Sequence, residues 1–464
     1  MVQRECVRTL PPCRPFAFGV SLSQDRRFAT STTLLAQPRN VDSHGPPGVA
    51  QTTEIPTGPA QSQESQDPYF TAADEAYVTS LHAQGKGRGN AFTLAGWGIF
   101  AFVAVPLAMG VYSRERAKTL AGQSGGRFGW FSNLSPGQRM EDAWRQELAD
   151  SFGRVYAGVM KVACNLPTGG QEFVSRQWLD FADWAVNLPT YQLTVLPFIA
   201  LNTAVFIIWW VPIPAVQVFM SRNFATVTGH KRFFTLFTSA FSHRGPMHFI
   251  LNQVALLSVG SVALDSVSKL FPIEKVKEAK QGGLLADGWK LPEVDSTAKL
   301  LTFFLGAAFV SGGCSWAWRR VRFAQVRTAY QQAVQAGAPA PYRLASSFKG
   351  AEGSGSLGSS GVVYGLFTLT AIMHPDSKIG IIFLPQDYAL DARTAMTGLL
   401  SVDLGMLLTS IITGRSFFID NVAHLAGAAF GVVWYHSAYL IWEYSRLVDP
   451  KKLARRVFGG EQSS

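Results

Sequence analysis

Seven stretches of the chain contain few or no charged side chains. They are residues 91–112, 194–220, 246–264, 300–318, 357–373, 395–413 and 421–442. A helix needs about 20 apolar residues, with a range of about 17–25, to cross the hydrocarbon core of a bilayer. Each stretch is long enough, or nearly so, to cross a membrane. The pattern therefore predicts an all-α membrane protein in which one transmembrane helix precedes six others.

The polar parts of the chain divide it into further segments. Residues 113–190 are mixed in polarity, and we expect them to connect the extra transmembrane helix at 91–112 to a six-helix core at 191–445. Residues 446–464 are polar and are predicted to form a C-terminal tail.

The first 35 residues have the composition of a targeting sequence. They contain five arginines against two acids, together with many Ser and Thr and no long apolar segment. This composition predicts a mitochondrial transit peptide at residues 1–35, and RRFATSTTLL resembles a two-step processing site that would leave Ala36 as the first residue. Residues 36–90 are rich in Pro, Gln, Ser and Gly and are predicted to be disordered.

Charge and cysteine content narrow the function classes. Only 16% of the residues are charged, and the net charge of +10 comes partly from the leader and partly from Arg and Lys between residues 319 and 349. Beside membrane spans such charges indicate topology and contact with the lipid bilayer, and no nucleic-acid partner is expected. The four cysteines form neither a disulfide framework nor a metal motif, so we expect no metal and no cofactor.

Four polar residues stand near the starts of apolar runs. His248 and Asn252 belong to the third run, Ser360 to the fifth and His424 to the seventh. These three runs cross the membrane in the same direction, so their first turns lie in one leaflet and the four side chains can converge. Polar groups are costly in a membrane and are often functional. A serine within about 2.6–3.2 Å of an imidazole is the arrangement that a nucleophile and its general base require.

Glycines follow both the serine and the second imidazole. Gly361 and Gly365 form one pair of small residues at four-residue spacing, and Gly427 and Gly431 form another. Such pairs allow two membrane helices to approach until their backbones nearly touch. Tyr364, one turn after Ser360, is predicted to cover the imidazole of His424.

Each of these residues also has an ordinary structural interpretation. Ser and Gly at the start of a membrane helix usually cap it or allow packing. Asp420, four residues before His424, is expected to cap the last helix. Asp403, in the middle of the sixth run, is expected to make an interhelical hydrogen bond rather than to relay protons.

Three motifs together resemble the rhomboid intramembrane serine proteases. They are HRGPMHFILN, GSSGVVYG and AHLAGAAFG, and the resemblance covers residues 190–445. It implies a rhomboid-like six-helix core preceded by one extra transmembrane helix, with a catalytic dyad of Ser360 and His424. It also implies that His248 and Asn252 stabilise the oxyanion. The supporting residues that it implies are His243, Gly358, Gly361, Tyr364, Gly427 and Gly431.

A leader and one span ahead of six resemble the mitochondrial branch of this family, the presenilin-associated rhomboid-like proteases. The resemblance implies a multi-pass protein of the mitochondrial inner membrane. The expected substrates are single-span membrane proteins such as a mitochondrial dynamin-like GTPase, although no residue of the chain names one.

Two other classes of protein stay open. A catalytically inactive rhomboid-like protein would bind hydrophobic clients, but it should lack Ser360 or His424. A seven-span transporter would carry paired charges or broken helices at the middle of the membrane, and only Asp403 fits that description. The orientation is open as well. Positive charges after the first run and between residues 319 and 349 both favour the matrix side, yet an odd number of spans separates them.

Overall fold

The computed structural model describes residues 91–127, 134–227, 232–336, 355–380, 386–413 and 420–458. The predicted transit peptide at 1–35, the predicted disordered segment at 36–90 and the last six residues of the predicted tail lie outside this part of the chain. Those three assignments therefore stay predictions.

Helices make up nearly all of the described structure. Numbered along the chain, they are α1 Ala91–Ile99, α2 Val105–Arg127, α3 Pro136–Ala163, α4 Thr168–Val186, α5 Thr190–Leu193, α6 Leu196–Trp209, α7 Pro214–Phe224, α8 Thr235–Thr238, α9 Pro246–Val259, α10 Val262–Ser268, α11 Ile273–Gln281, α12 Thr297–Gln335, α13 Ser360–Met373, α14 Ala392–Thr413, α15 Asn421–Val433, α16 Tyr439–Leu447 and α17 Pro450–Phe458. A π-helical turn, Phe100–Ala104, joins α1 to α2, and another, Trp434–Ala438, joins α15 to α16.

The described strands are only two residues long. Thr226–Val227 (β1) pairs antiparallel with Gly355–Ser356 (β2), with Thr226 opposite Ser356. Lys378–Ile379 (β3) pairs antiparallel with Leu390–Asp391 (β4). These short ladders fix loop ends and leave the fold all-helical.

Within the described residues, five helical segments are long and apolar enough to cross a membrane, judged by length and composition. They are Phe92–Ser124, Thr190–Trp209, Pro246–Ser268, Thr297–Arg322 and Ala392–Thr413. The prediction of an all-α membrane protein is confirmed. The finer arrangement of one helix followed by six stays a prediction.

The helices formed by the fifth and seventh apolar runs differ in length from the predicted spans. The fifth run gives α13, which begins at Ser360 and has 14 residues, because the chain before it pairs in β2 and turns at Gly358. The seventh run gives α15, the second π-helical turn and α16, which follow one another without a gap from Asn421 to Leu447.

The second apolar run, 194–220, does not form one helix, which corrects the prediction. Helix α6 ends at Trp209, and α7 begins at Pro214. Pro212 and Pro214 lie at the break. A proline has no backbone N–H to donate and disfavours helical geometry in the residue before it, so two prolines at this spacing end the helix although the apolar character continues.

The long helix α12 lies at the centre of the described fold. Phe303 and Phe304 on this helix are fully buried. Phe304 stacks on Phe198 from α6, with ring centroids 5.3 Å apart, and Phe303 contacts Phe430 from α15 at 5.3 Å. Helix α12 therefore holds the helices that carry the candidate site against one rigid apolar surface.

Helix α2, in the first membrane-length segment, packs directly against α16, which follows the seventh apolar run's helix α15 and its π-helical turn. A side chain at Gly110 of α2 would collide with Ser445 of α16, and the Arg114 guanidinium donates to the carbonyl oxygens of Arg446 and Val448 at 3.2 and 3.3 Å. After α2 the chain forms a helical hairpin of α3 and α4. This hairpin contacts α2 through an ion pair between Arg116 and Glu147 at 2.8 Å. Much of the predicted connecting segment is thus an ordered part of the fold.

Candidate active site

Ser360 is the first residue of α13, at the end of the loop that β2 begins. Its approach depends on Gly358, which has a φ of 121° and whose N–H donates to the carbonyl of Ser239 at 2.8 Å. A Cβ atom at position 358 would lie 2.5 Å from Cε1 of His248. Position 358 therefore requires glycine both for its backbone conformation and for the close passage of the His248 ring.

His424 lies one turn into α15 and faces Ser360. Its Nε2 atom is 2.9 Å from the Oγ atom of Ser360. Asp420 caps this helix, because its Oδ1 atom accepts a hydrogen bond from the N–H of Ala423 at 3.1 Å. The cap fixes the start of α15 and thereby the height of the imidazole. The distance between Nε2 and Oγ is within the range for proton transfer from a hydroxyl to a base.

The two helices that carry this pair are in backbone contact. A Cβ atom at Gly427 would fall almost on the carbonyl oxygen of Gly361, and one at Gly431 would overlap the carbonyl of Gly365. A Cβ atom at Gly361 would lie 2.6 Å from Ser311 of α12. The glycines at the start of α13 therefore allow this contact, although they are weak helix formers.

Two further side chains hold the imidazole. The ring of Tyr364 stacks on that of His424, with centroids 4.2 Å apart and an angle of 16° between the planes. On the other ring nitrogen, Nδ1 of His424 lies 3.1 Å from Oδ1 and 3.3 Å from Oδ2 of Asp403. Asp403 makes the interhelical contact expected from the sequence, but its partner is a residue that the sequence analysis had assigned to the site.

A second polar group lies behind Ser360. His243 is fully buried, and its Nε2 atom accepts a hydrogen bond from the N–H of Ser359 at 3.2 Å. The pKa of His243 falls to about 3, mainly because the ring is buried; the neighbouring His248 also lowers it, and the Phe241 carbonyl opposes the shift. His243 is therefore neutral at physiological pH and can accept the Ser359 hydrogen bond on Nε2.

Asn252, on α9 in the third run, is bonded to the residue that precedes Ser360. Its amide nitrogen donates to the carbonyl of His248 at 2.8 Å, and its Oδ1 atom accepts from the Ser359 hydroxyl at 3.3 Å. The His248 ring contacts Gly358 and lies edge-on to His243, with centroids 5.3 Å apart. Both side chains thus border the loop that ends at Ser360, and the Asn252 side chain bonds to His248 and Ser359.

Sequence reasoning missed Ser359 and Ser315. Ser359 links His243 to Asn252, and the Ser315 hydroxyl of α12 donates to the Asp420 carboxylate. The duplicated serine in GSSG was a signal for the first. For the second no local signal exists, because the partners are 105 positions apart.

The described residues contain no cluster of side chains suited to bind a metal ion. Within them, no group of three or more His, Cys, Asp or Glu side chains could hold a metal ion.

Residues 288–440 match the family model described as the Rhomboid domain. This range includes Ser360, Asp403 and His424 and excludes His243, His248 and Asn252. The match thus covers the serine and its imidazole partner, and does not include the third apolar run.

Several curated proteins are similar to the chain over longer ranges. Presenilin-associated rhomboid-like protein A, mitochondrial, from Danio rerio is 27% identical over 263 residues, which are 56% of this chain and 52% of that protein. The Homo sapiens protein of the corresponding name is 26% identical over 264 residues, with the same coverage. The Rattus norvegicus protein is 36% identical over 91 residues, 19% of this chain and 22% of its own length. The chain spans about half the length of the first two relatives, and no solved structure matches it significantly.

Proposed function

We propose that this chain, which belongs to the rhomboid family and to its presenilin-associated rhomboid-like branch, is an intramembrane serine protease. The observation that carries the proposal is the 2.9 Å approach of His424 Nε2 to Ser360 Oγ at the starts of two helices in backbone contact. At this distance His424 can accept the proton of the Ser360 hydroxyl.

In the proposed reaction His424 acts first as base and then as acid. Its Nε2 atom takes the proton of Ser360 while Oγ attacks the carbonyl carbon of a substrate peptide bond. The resulting tetrahedral intermediate collapses, the proton on Nε2 passes to the leaving amine, and an acyl ester remains on Ser360. A water molecule, activated by the same nitrogen, then hydrolyses the ester and restores both residues.

The negative oxygen of the intermediate needs donors that already point towards it. The N–H of Ser360 is the first of α13, where the helix itself offers no acceptor and the helix dipole favours negative charge. We assign His248 and Asn252 as further donors. For Asn252 this role requires its amide to turn from the His248 carbonyl to the oxyanion.

The proposed substrates are single-span membrane proteins. A peptide bond in a membrane helix is protected by the helix's own hydrogen bonds, so the segment that is cleaved should contain residues that unwind easily. The names of the curated relatives place those proteins in mitochondria. We extend this location to the present chain, as a multi-pass protein of the inner membrane, with a dynamin-like GTPase as a candidate substrate.

Labelling with a fluorophosphonate tests the serine directly. The full chain, purified in detergent or reconstituted in liposomes, should react with the probe and cleave a fluorescent transmembrane peptide. Ser360→Ala and His424→Ala should each abolish cleavage. Ser258→Ala is the matched control, because Ser258 is an exposed serine on a membrane helix, bonded to its own helix at the carbonyl of Val254.

The same measurements separate the protease from its alternatives. A wild-type chain that binds the peptide without labelling or cleavage is a rhomboid-like binding protein, and the proposal is then wrong. Cleavage that survives in Ser360→Ala contradicts the assignment of the nucleophile. Solute transport by liposomes that show no proteolysis supports the transporter.

A further inference from the structure

Asp403 is a carboxylate in the apolar helix α14. The residue is 3% exposed, and the apolar run that contains it has no other charged side chain. Placing an acid near the middle of a membrane helix costs about 2.5–3.5 kcal/mol on insertion scales. A residue kept at such a cost needs compensating partners, and their identity indicates its use.

Asp403 is bonded by three side chains, and all three belong to the two helices of the candidate site. His424 Nδ1 lies 3.1 Å from its Oδ1 atom, and the Asn421 amide donates to the same oxygen at 2.5 Å. The Tyr364 hydroxyl also forms a hydrogen bond with the carboxylate. The carboxylate is thus held from α13 and α15 and directed towards the ring nitrogen that does not face Ser360.

This contact determines which nitrogen of His424 carries the proton in the neutral ring. An ionised carboxylate only accepts hydrogen bonds, so Nδ1 must be the protonated nitrogen. Nε2 then has a free lone pair, and it lies 2.9 Å from Ser360 Oγ. In the opposite tautomer Nε2 would carry a hydrogen and could not take the proton of Ser360.

We propose that Asp403 is a positioning residue that completes a Ser360–His424–Asp403 triad. It holds the reactive tautomer of His424 and offsets the positive charge that the ring gains when it takes the Ser360 proton. Asp403 itself exchanges no proton, since the Nδ1 hydrogen stays on the ring and the Nε2 hydrogen passes to the leaving amine. This inference rests on the proposed protease function.

The test compares variants that keep or remove the carboxylate. Asp403→Asn keeps the shape of the side chain, and Asp403→Glu keeps its charge. Replacing the acid of a soluble triad by its amide lowers kcat by about 10⁴. We expect a loss of kcat of about 10²-fold or more in Asp403→Asn, because the Tyr364 stack still restrains the ring, with KM within about twofold of wild type. Asp403→Glu should recover part of kcat.

A second acid serves as the control for a purely structural effect. Asp265 accepts hydrogen bonds from Lys299 at 3.0 Å and from Ser296 at 2.7 Å, and both partners lie outside the candidate site. Asp265→Asn should lower the melting temperature while kcat per folded molecule stays within twofold of wild type. Asp403→Asn should do the reverse, losing kcat far beyond any loss of stability.

A spectroscopic measurement on the wild-type chain needs no acid variant. In protein labelled with ¹⁵N-histidine, the resonances of His424, assigned by their absence in His424→Gln, should be those of a ring protonated on Nδ1. A neutral ring protonated on Nε2 overturns the inference, and so does a kcat in Asp403→Asn within twofold of wild type. A wild-type chain that neither labels nor cleaves instead overturns the protease function.

Discussion

His243 shows how one buried side chain makes the site sensitive to acid. Its ring accepts the hydrogen bond of Ser359, in the loop that leads to Ser360. Burial is the main reason that its pKa falls from 6.5 to about 3. Protonating Nε2 would remove the acceptor and place a charge in an apolar environment.

We therefore expect the stability of the fold to decline in mild acid. Below pH 6.5 the unfolded chain binds a proton at His243, whereas the folded chain does not until the pH nears about 3. The stabilising contribution is complete above that window and is lost as the pH falls through it, with a slope that approaches about 1.4 kcal/mol per pH unit. Denaturant titrations between pH 7 and 4 measure it.

The controls for this prediction are two glutamine variants. In His243→Gln the amide oxygen can still accept from Ser359 but does not titrate, so its stability should depend less on pH than that of wild type. His436→Gln, at an exposed position, should behave as wild type. Parallel pH profiles for all three chains would contradict the assignment.

Single residues were predictable where the motif lay within one helix turn. Tyr364 stands one turn after Ser360 and Asp420 one turn before His424, and helix geometry alone fixes which face of a helix such positions share. The partner of Asp403 was not predictable, since α14 and α15 are separate helices and the rotation of α14 about its axis depends on packing. An isolated charge indicates that a partner exists and leaves its identity unspecified.

At the scale of the helices, the contact between α13 and α15 sets the geometry of the proposed dyad. We expect Gly427→Leu to abolish cleavage, because the new side chain would occupy the place of the Gly361 carbonyl and separate the helices. Peptide cleavage and fluorophosphonate labelling measure the effect.

The control for this substitution is a glycine on a neighbouring membrane helix. Nothing lies within 4 Å of a Cβ atom at Gly405 of α14, so Gly405→Leu should retain near-normal turnover. Normal activity in Gly427→Leu would mean that the two helices are not in close contact in the membrane.

Helix boundaries followed the apolar pattern only where nothing interrupted hydrogen bonding. The runs at 246–264 and 395–413 lie within membrane-length segments of the structure, Pro246–Ser268 and Ala392–Thr413. The prediction of one helix at 194–220 was wrong, because the apolar pattern carries no information about the missing N–H groups of Pro212 and Pro214. The start of α13 was displaced from 357 to Ser360 by a strand pairing with residues more than 120 positions earlier, which no local pattern contains.

Across the whole molecule, a buried ion cluster joins distant segments. Glu293 accepts from Lys299 of α12 at 2.8 Å, from Arg446 of α16 at 3.3 Å and from Ser113 of α2 at 3.0 Å. Burial acts to raise the pKa of Glu293, but Lys299 and Arg446 oppose it and hold that pKa below its usual value. The cluster thus connects helices α2, α12 and α16.

Glu293→Gln should destabilise the fold by about 3 kcal/mol, because it removes the carboxylate that the buried Lys299 and the partly buried Arg446 share, although Lys299 keeps its pair with Asp265. Unfolding in denaturant gives the change in stability, and kcat per folded molecule should stay within twofold of wild type. Glu278→Gln breaks an exposed, solvent-screened pair with Lys275 and should have only a small effect on stability. A similar small cost for Glu293→Gln would show that the cluster does not hold the helices together.

The separation of Ser360 and His424 along the chain has a consequence for biosynthesis. The serine precedes its base by 64 positions, and His424 lies at the start of the last long apolar run. While the chain is being made and threaded into the bilayer, the hydroxyl is present without the group that would activate it. On the proposed mechanism, a stalled or truncated chain that ends before α15 is inert. On this mechanism, peptide hydrolysis begins only once insertion is nearly complete, and neighbouring membrane proteins are not cleaved by a partly inserted chain.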